Sequence, residues 1–147
     1  MSEPFVLQSG NGSRWVLYPP EDPYGDGYVL ALPTELRGDG MTAAAVVELD
    51  GIFVSPHTAR LSAFFGTLAA DRRGWEGVRQ WTSARRQLTL EAAHDGVGRV
   101  SLGVTLRAAD TAPAFAPWSA TLLFGIEASR ELPHLARRLS DFLEAEP

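Results

Sequence analysis

The stretch from Thr42 to Arg60 recurs, without a gap, as Ser119 to Arg137, 77 positions later. Ala43 falls on Ala120, Pro56 on Pro133, His57 on His134, Ala59 on Ala136 and Arg60 on Arg137. Thr42/Ser119, Leu49/Ile126 and Asp50/Glu127 are chemical equivalents. Each copy opens with apolar residues at every second position and passes through Pro-His into an apolar stripe at helical spacing, so each reads as a strand feeding a helix. Two such passages in 147 residues leave room for little else than a shared core.

The flanking segments supply further strands. Phe5 to Leu7 is a short apolar run stopped by Ser9-Gly10-Asn11-Gly12 and reads as a weak edge strand. Arg14 to Tyr18 and Tyr28 to Leu32 read as partners in a hairpin spanning roughly 13 to 33, with Pro33 to Gly40 as a second loop. In Thr42 to Asp50, Ala43, Ala45, Val47 and Leu49 face inward, and Thr42, Ala44, Val46 and Glu48 outward. Ser55-Pro56 predicts a helix start, because a serine oxygen can cap an orphan amide and proline has no N–H to leave unused. Leu61, Phe64, Phe65 and Leu68 form its stripe, and Gly74 is the expected stop.

In the second half, Trp75 to Ser83 fits neither period and reads as an irregular connection that begins a strand near Arg79. Arg86 to Ala92 alternates, with Leu88, Leu90 and Ala92 inward against Gln87, Thr89 and Glu91. Arg99 to Arg107 is the clearest strand, with Val100, Leu102, Val104 and Leu106 on one face. After a loop from Ala108 to Pro117, Trp118 to Glu127 turns Ala120, Leu122, Phe124 and Ile126 inward and leaves Leu123 outside. A helix from about Arg130 to Glu144 follows. Each half thus reads as βββα, a pattern that fits a duplicated unit. The expected fold is α+β: one domain over 1–147 with pseudo-halves of about 1–74 and 75–147, built as two layers. A mostly antiparallel six-stranded sheet carries both helices on one face.

Composition narrows function. The chain has no cysteine, which excludes disulfides, thiolate catalysis and cysteine-bearing metal sites and favours the cytoplasm. No run of eighteen apolar residues or signal-peptide pattern is present, so no membrane association is expected. All thirteen basic residues are arginine, which suits a GC-rich bacterial genome. The net charge of -5 makes nucleic acid an improbable partner, since nonspecific binding draws on phosphate neutralisation. The charge is uneven: -6 over residues 1–53, +4 over 54–107 and -3 over 108–147.

Motifs for chemistry are weak. His57 and His134 fit first-turn positions better than a shared metal site, because no tight ligand spacing accompanies them. Glu21, Asp22 and Asp26 lack the alternating ligands of a calcium loop. Gly10-Asn11-Gly12-Ser13 is neither a nucleophile elbow nor a phosphate loop, and Gly96-Val97-Gly98 opens a strand rather than a dinucleotide-binding helix. No catalytic residue, cofactor or metal is expected. The most informative surface stretch holds Arg72, Arg73, Arg79, Arg85 and Arg86 around Trp75 and Trp81, residue types that anchor protein interfaces. It competes with a bland reading, in which the tryptophans pack on the core rim and the arginines pair with the acidic N-terminal half.

The run Trp75-Glu76-Gly77-Val78-Arg79-Gln80-Trp81, together with Leu88-Thr89-Leu90, His94 to Val100, Trp118 and the terminal leucine-rich helix, resembles a family of small uncharacterised actinobacterial proteins, a domain of unknown function. That resemblance implies no activity or site residues. By analogy it suggests a toxin-neutralising immunity protein. The expected function is a non-enzymatic protein-binding module, joining a protein partner or a second copy. Its interface would be the open sheet face, with Val46, Thr105, Thr121 and Leu123, or the crossover with Arg72, Arg73, Trp75, Arg79 and Trp81. The rival expectation is a small-molecule binder or enzyme with a pocket between sheet and helices.

Overall fold

The computed structural model describes residues 3–25, 29–50, 60–109 and 118–143. They form β1 (Phe5–Gln8), β2 (Arg14–Leu17), β3 (Val29–Gly38), β4 (Met41–Asp50), α1 (Leu61–Ala70), β5 (Val78–Thr82), β6 (Leu88–His94), β7 (Arg99–Arg107), β8 (Ser119–Glu127) and α2 (Glu131–Leu143). Each half is therefore four strands and a helix. Both weak strand signals, at Phe5 and near Arg79, are strands, and each takes the edge of a meander.

The strands do not join into one six-stranded sheet. They form two antiparallel four-stranded sheets, ordered β1-β2-β3-β4 and β5-β6-β7-β8. A local cause is visible at the free edge of β4. There the Gln87 side chain, ahead of β6, donates from Nε2 to the Val46 carbonyl at 2.6 Å and accepts the Glu48 N–H at 3.0 Å. Its amide occupies the two backbone groups that an added strand would need. Sequence alternation places Gln87 on the outer face, yet it is only 6% exposed because this neighbouring edge takes up its side chain.

The first hairpin also differs from expectation. β2 pairs with the segment read as a loop, Arg14 opposite Arg37 and Leu17 opposite Thr34, so β3 runs straight through Pro33. Proline is tolerated there for a positional reason. Its carbonyl accepts the Tyr18 N–H at 2.9 Å, just past the end of β2. An N–H at Pro33 would point to the same side as its carbonyl, toward Tyr18 beyond the end of β2, so its absence removes one bond at the end of that strand and none from the β3–β4 ladder. The turn into β4 is the two-residue Asp39-Gly40, with Gly40 at φ +73°.

α1 opens at Leu61, preceded by an extended Arg60 with φ -78° and ψ 157°, and Ser55-Pro56, the expected helix start, lies outside the described residues. His57 lies outside the described residues. His134 is in the first turn of α2, its N–H donating to the Arg130 carbonyl at 3.2 Å. The 77-residue offset carries β4 onto β8, but it does not carry α1 onto α2.

One apolar core unites the halves. It takes Phe5, Trp15, Leu17, Leu32 and Leu36 from the first sheet, Leu88, Leu90, Leu102, Val104 and Phe124 from the second, and Phe65, Leu68, Leu132 and Leu139 from the helices. Trp15 is fully buried, 6.3 Å from Phe65 in a stacked arrangement and 5.9 Å from Phe5 edge-on. α2 reaches back to the first half. Phe142 lies 6.1 Å from Phe5, Arg138 donates to the Val6 carbonyl at 3.1 Å, and its guanidinium sits 5.0 Å from the Phe5 ring. No helix among the described residues is long and apolar enough to cross a membrane.

Candidate docking face and the arginine–tryptophan crossover

Between α1 and β5 the chain makes the crossover that concentrates arginine and tryptophan. Trp75 is partly buried against the core, and its indole N–H donates to the Ala92 carbonyl at 3.2 Å. Arg79 lies 4.9 Å over the Trp75 ring and forms an ion pair with Asp71 at 2.8 Å. The opposite side of the joint is His94, edge-on to Trp75 with centroids 5.3 Å apart. Its Nδ1 accepts the Gly96 N–H at 2.8 Å, and a backbone amide can only donate. The proton of the neutral ring is therefore on Nε2, which donates to the Arg72 carbonyl at 2.9 Å. Trp81 shares a cross-strand position with Leu90, on the core side of the second sheet. Arg72 and Arg73 remain exposed.

These contacts make the crossover a joint of the fold. Its bland reading is met at Trp75 and Trp81, which pack at the core rim. Arginine pairing with the acidic N-terminal half is seen at Arg85, 3.7 Å from Glu48, whereas Arg79 finds its acid locally. Leu123 is on a different surface, the outer face of β8.

The outer face of the second sheet is organised by register. Thr82 opposes Thr89, Thr89 opposes Thr105, and Thr105 opposes Thr121, so four threonines on four strands form one transverse row. The Thr105 and Thr121 hydroxyls are 2.7 Å apart, and those of Thr82 and Thr89 are 3.4 Å apart. On one side of this row come Gln80, Glu91, Gly103 and Leu123. On the other are Arg107 and Ser119. Leu123 is 72% exposed, and it stands beside Gly103, where an added Cβ would meet its Cδ2 at 3.4 Å. Gln80, Thr89, Glu91, Thr105, Arg107, Trp118 and Ser119 line an open depression of about 450 Å³. Val46 does not join this surface: it belongs to β4, in the first sheet.

A second depression, of about 360 Å³, runs between the helices along Ser62, Ala63, Gly66, Ala136, Arg137, Ser140 and Asp141. Neither depression lies between a sheet and the helices. In the Glu21–Asp26 loop, Asp22 accepts the Gly25 N–H at 2.9 Å, a turn-forming contact, and Asp26 lies outside the described residues.

The model of a family of unknown function, DUF6228, matches residues 7–146. The chain belongs to that family. No curated protein and no solved structure matches it. The matched span of this DUF6228 chain includes both the crossover and the outer face.

Two carboxylates at the end of the face act structurally in this DUF6228 chain. Asp95 accepts the N–H groups of Arg99 at 3.0 Å and Val97 at 2.7 Å, and these bonds hold its carboxyl below the usual range. Glu127 takes the Ser129 hydroxyl and the N–H groups of Ser129 and Arg130, which likewise lower its carboxyl and fasten the entry to α2. The threonine row was beyond sequence reasoning, because it exists only once the pairing of four strands is known. Outward alternation of Thr105, Thr121 and Leu123 was its legible part.

Proposed function

We propose that this DUF6228 chain is a non-enzymatic protein-binding module of the cytoplasm, and that it docks a partner on the outer face of β5 to β8. The observation that carries this reading is Leu123, a large apolar side chain 72% exposed on the outer face of the edge strand β8. It is bordered by a row of hydrogen-bonding hydroxyls, and Trp118, itself 39% exposed, stands beyond the far side of that row. Apolar anchors amid satisfied polar groups are what a protein interface uses. The crossover supports the reading less well, since Trp75 and Arg79 already spend their interaction capacity within the chain. An immunity-protein-like role, neutralising a partner by occupying it, fits a chain of this size, and the use of arginine for all thirteen basic residues supports an actinobacterial source.

The test compares Leu123→Glu with Arg73→Glu in sedimentation and in capture of partners from the native host. Leu123→Glu is expected to abolish association while Arg73→Glu retains it. The reverse pattern would move the interface to the crossover and overturn the reading.

A further inference from the structure

We infer that the chain pairs with a second copy of itself along the open edge of β8, strand beside antiparallel strand, about a two-fold axis at Leu123. The inference rests on the docking-face reading of Leu123 and extends that face past its edge. Its ground is a comparison of the four sheet edges. β1 is four residues long, and its Val6 carbonyl is taken by Arg138. At β4 the Gln87 amide occupies the Val46 and Glu48 backbone groups. β5 is five residues long and sets Arg79, ion-paired with Asp71, on its core side opposite Ala92. Shortness, covering contacts and an inward charge are the means by which edges avoid pairing. Among the described residues β8 shows none of these: it runs for nine residues, Ser119–Glu127, with no proline and no charge before Glu127.

The register says which backbone groups stand open. Ala128 donates to the Gly98 carbonyl at 2.9 Å, so by the alternation of an antiparallel ladder Ile126, Phe124, Leu122 and Ala120 bond to β7. The N–H and C=O groups of Ser119, Thr121, Leu123, Gly125 and Glu127 therefore point out of the sheet. No hydrogen bond among the described residues reaches those of Thr121, Leu123 or Gly125. Gly125 is exposed although it has no side chain, so the main chain itself is open there. Donors and acceptors repeating at every second residue are complementary to the main chain of another strand. β8 is its own complement. With Leu123 opposite Leu123 of the second copy, every outward residue finds an outward residue, and each opposed pair exchanges both of its N–H···O bonds, as an isologous interface requires. The two leucines then stand about 5.5 Å apart at Cα, which gives a side chain 72% exposed an apolar contact. On the outer face Thr121 meets Gly125 of the second copy and Ser119 meets its Glu127, so no like charges are opposed. On the inner face Leu122 meets Phe124 and Ala120 meets Ile126, which continues the apolar layer from one copy into the next.

Sedimentation velocity and amide exchange over a wide concentration range test this. The wild type is expected to dimerise, and the amides of Thr121, Leu123 and Gly125, exchanging freely in dilute protein, should gain protection as the dimer forms. A contact of one outer face upon another would leave them exchanging, because it leaves the edge open. Thr121→Pro takes an outward N–H from the edge and spares the β7–β8 ladder, as Pro33 spares that of β3 and β4, and should weaken dimerisation on the order of tenfold. Glu91→Arg, on the same face but two strands in from the edge, should leave dimerisation unchanged. Circular dichroism shows whether each variant is folded, and the exchange measurement needs no variant at all. A wild type that stays monomeric, or a dimer whose edge amides stay unprotected, overturns the inference. So does a folded Thr121→Pro that dimerises like the wild type. If the monomer nonetheless binds another protein through Leu123, the second copy is excluded and the docking face stands. If it binds nothing there, both fall.

Discussion

Single residues decide how the halves meet, and Gln87 is the clearest case. Its side chain replaces a missing strand at the edge of β4, bonding to groups 41 and 39 positions earlier in the chain. Gln87→Ala is expected to leave the Val46 carbonyl and Glu48 amide without this partner, at a cost of about 1–3 kcal/mol in urea unfolding. Gln87→Glu should also fail to restore stability, because a carboxylate cannot donate to Val46 and would sit near Glu48. A smaller loss for alanine than about 0.5 kcal/mol would deny the clip its role. Trp15→Ala should cost about 3–5 kcal/mol, as expected for emptying a fully buried aromatic site between Phe5 and Phe65. The burial of Trp15 accords with its place in an apolar strand. Gln87 was not legible, because alternation reports which way a side chain leaves its own strand and carries no information about a distant edge waiting to receive it.

Among the elements, those with continuous alternation were read almost to the residue. β7 and β8 turn Val100, Leu102, Val104, Leu106, Phe124 and Ile126 into the core as their period dictates. Proline normally ends a strand, so the sequence stops β3 at Pro33, and only the pairing shows that the missing N–H faces Tyr18, past the end of β2, and spares the β3–β4 ladder. Asp39-Gly40 was the sequence sign that a hairpin, and hence a longer β3, was present. α2 depends on Glu127, whose carboxyl is lowered chiefly by the Ser129 hydroxyl and then by backbone amides. A carboxylate with a folded-state pKa below its unfolded value contributes stability that is present above the unfolded value and lost as pH falls through the folded one. Asp95, lowered by the Arg99 and Val97 amides, acts in the same direction. Acid titration is therefore expected to loosen the start of α2 and the 95–99 turn below about pH 4, the ordinary carboxylate range. In Glu127→Gln the acid-induced change at α2 should shrink, as read by amide exchange at Ser129 and Arg130. An unchanged acid response would show that Glu127 is not its source.

At the scale of the molecule, both halves have the order ββββα, and the recurring strand-to-helix passage marks the last strand of each. The halves are interlocked, because α2 closes on β1 through Phe142 and Arg138 and the apolar core crosses between them. Unfolding should thus be a single transition, and Phe142→Ala should lower the stability of both halves together, as followed by the indole NMR signals of Trp15 in the first half and Trp81 in the second. Two separated transitions would show independent halves. The division into two sheets was not legible, since periodicity gives strands and faces but leaves open which edges pair. The docking face was partly so: Thr105, Thr121 and Leu123 alternate outward in the sequence, while their alignment with Thr82 and Thr89 in one row exists only through register. The central claim is that this face, and not the crossover, meets the partner. It is tested most directly by recording amide and methyl NMR shifts as the protein's own concentration is raised and as a partner captured from the native host is added. The account predicts changes at Thr89, Thr105, Thr121 and Leu123, with the Trp75 indole and the Arg79 guanidinium unmoved; changes centred on Trp75 and Arg79 with a silent threonine row would contradict it.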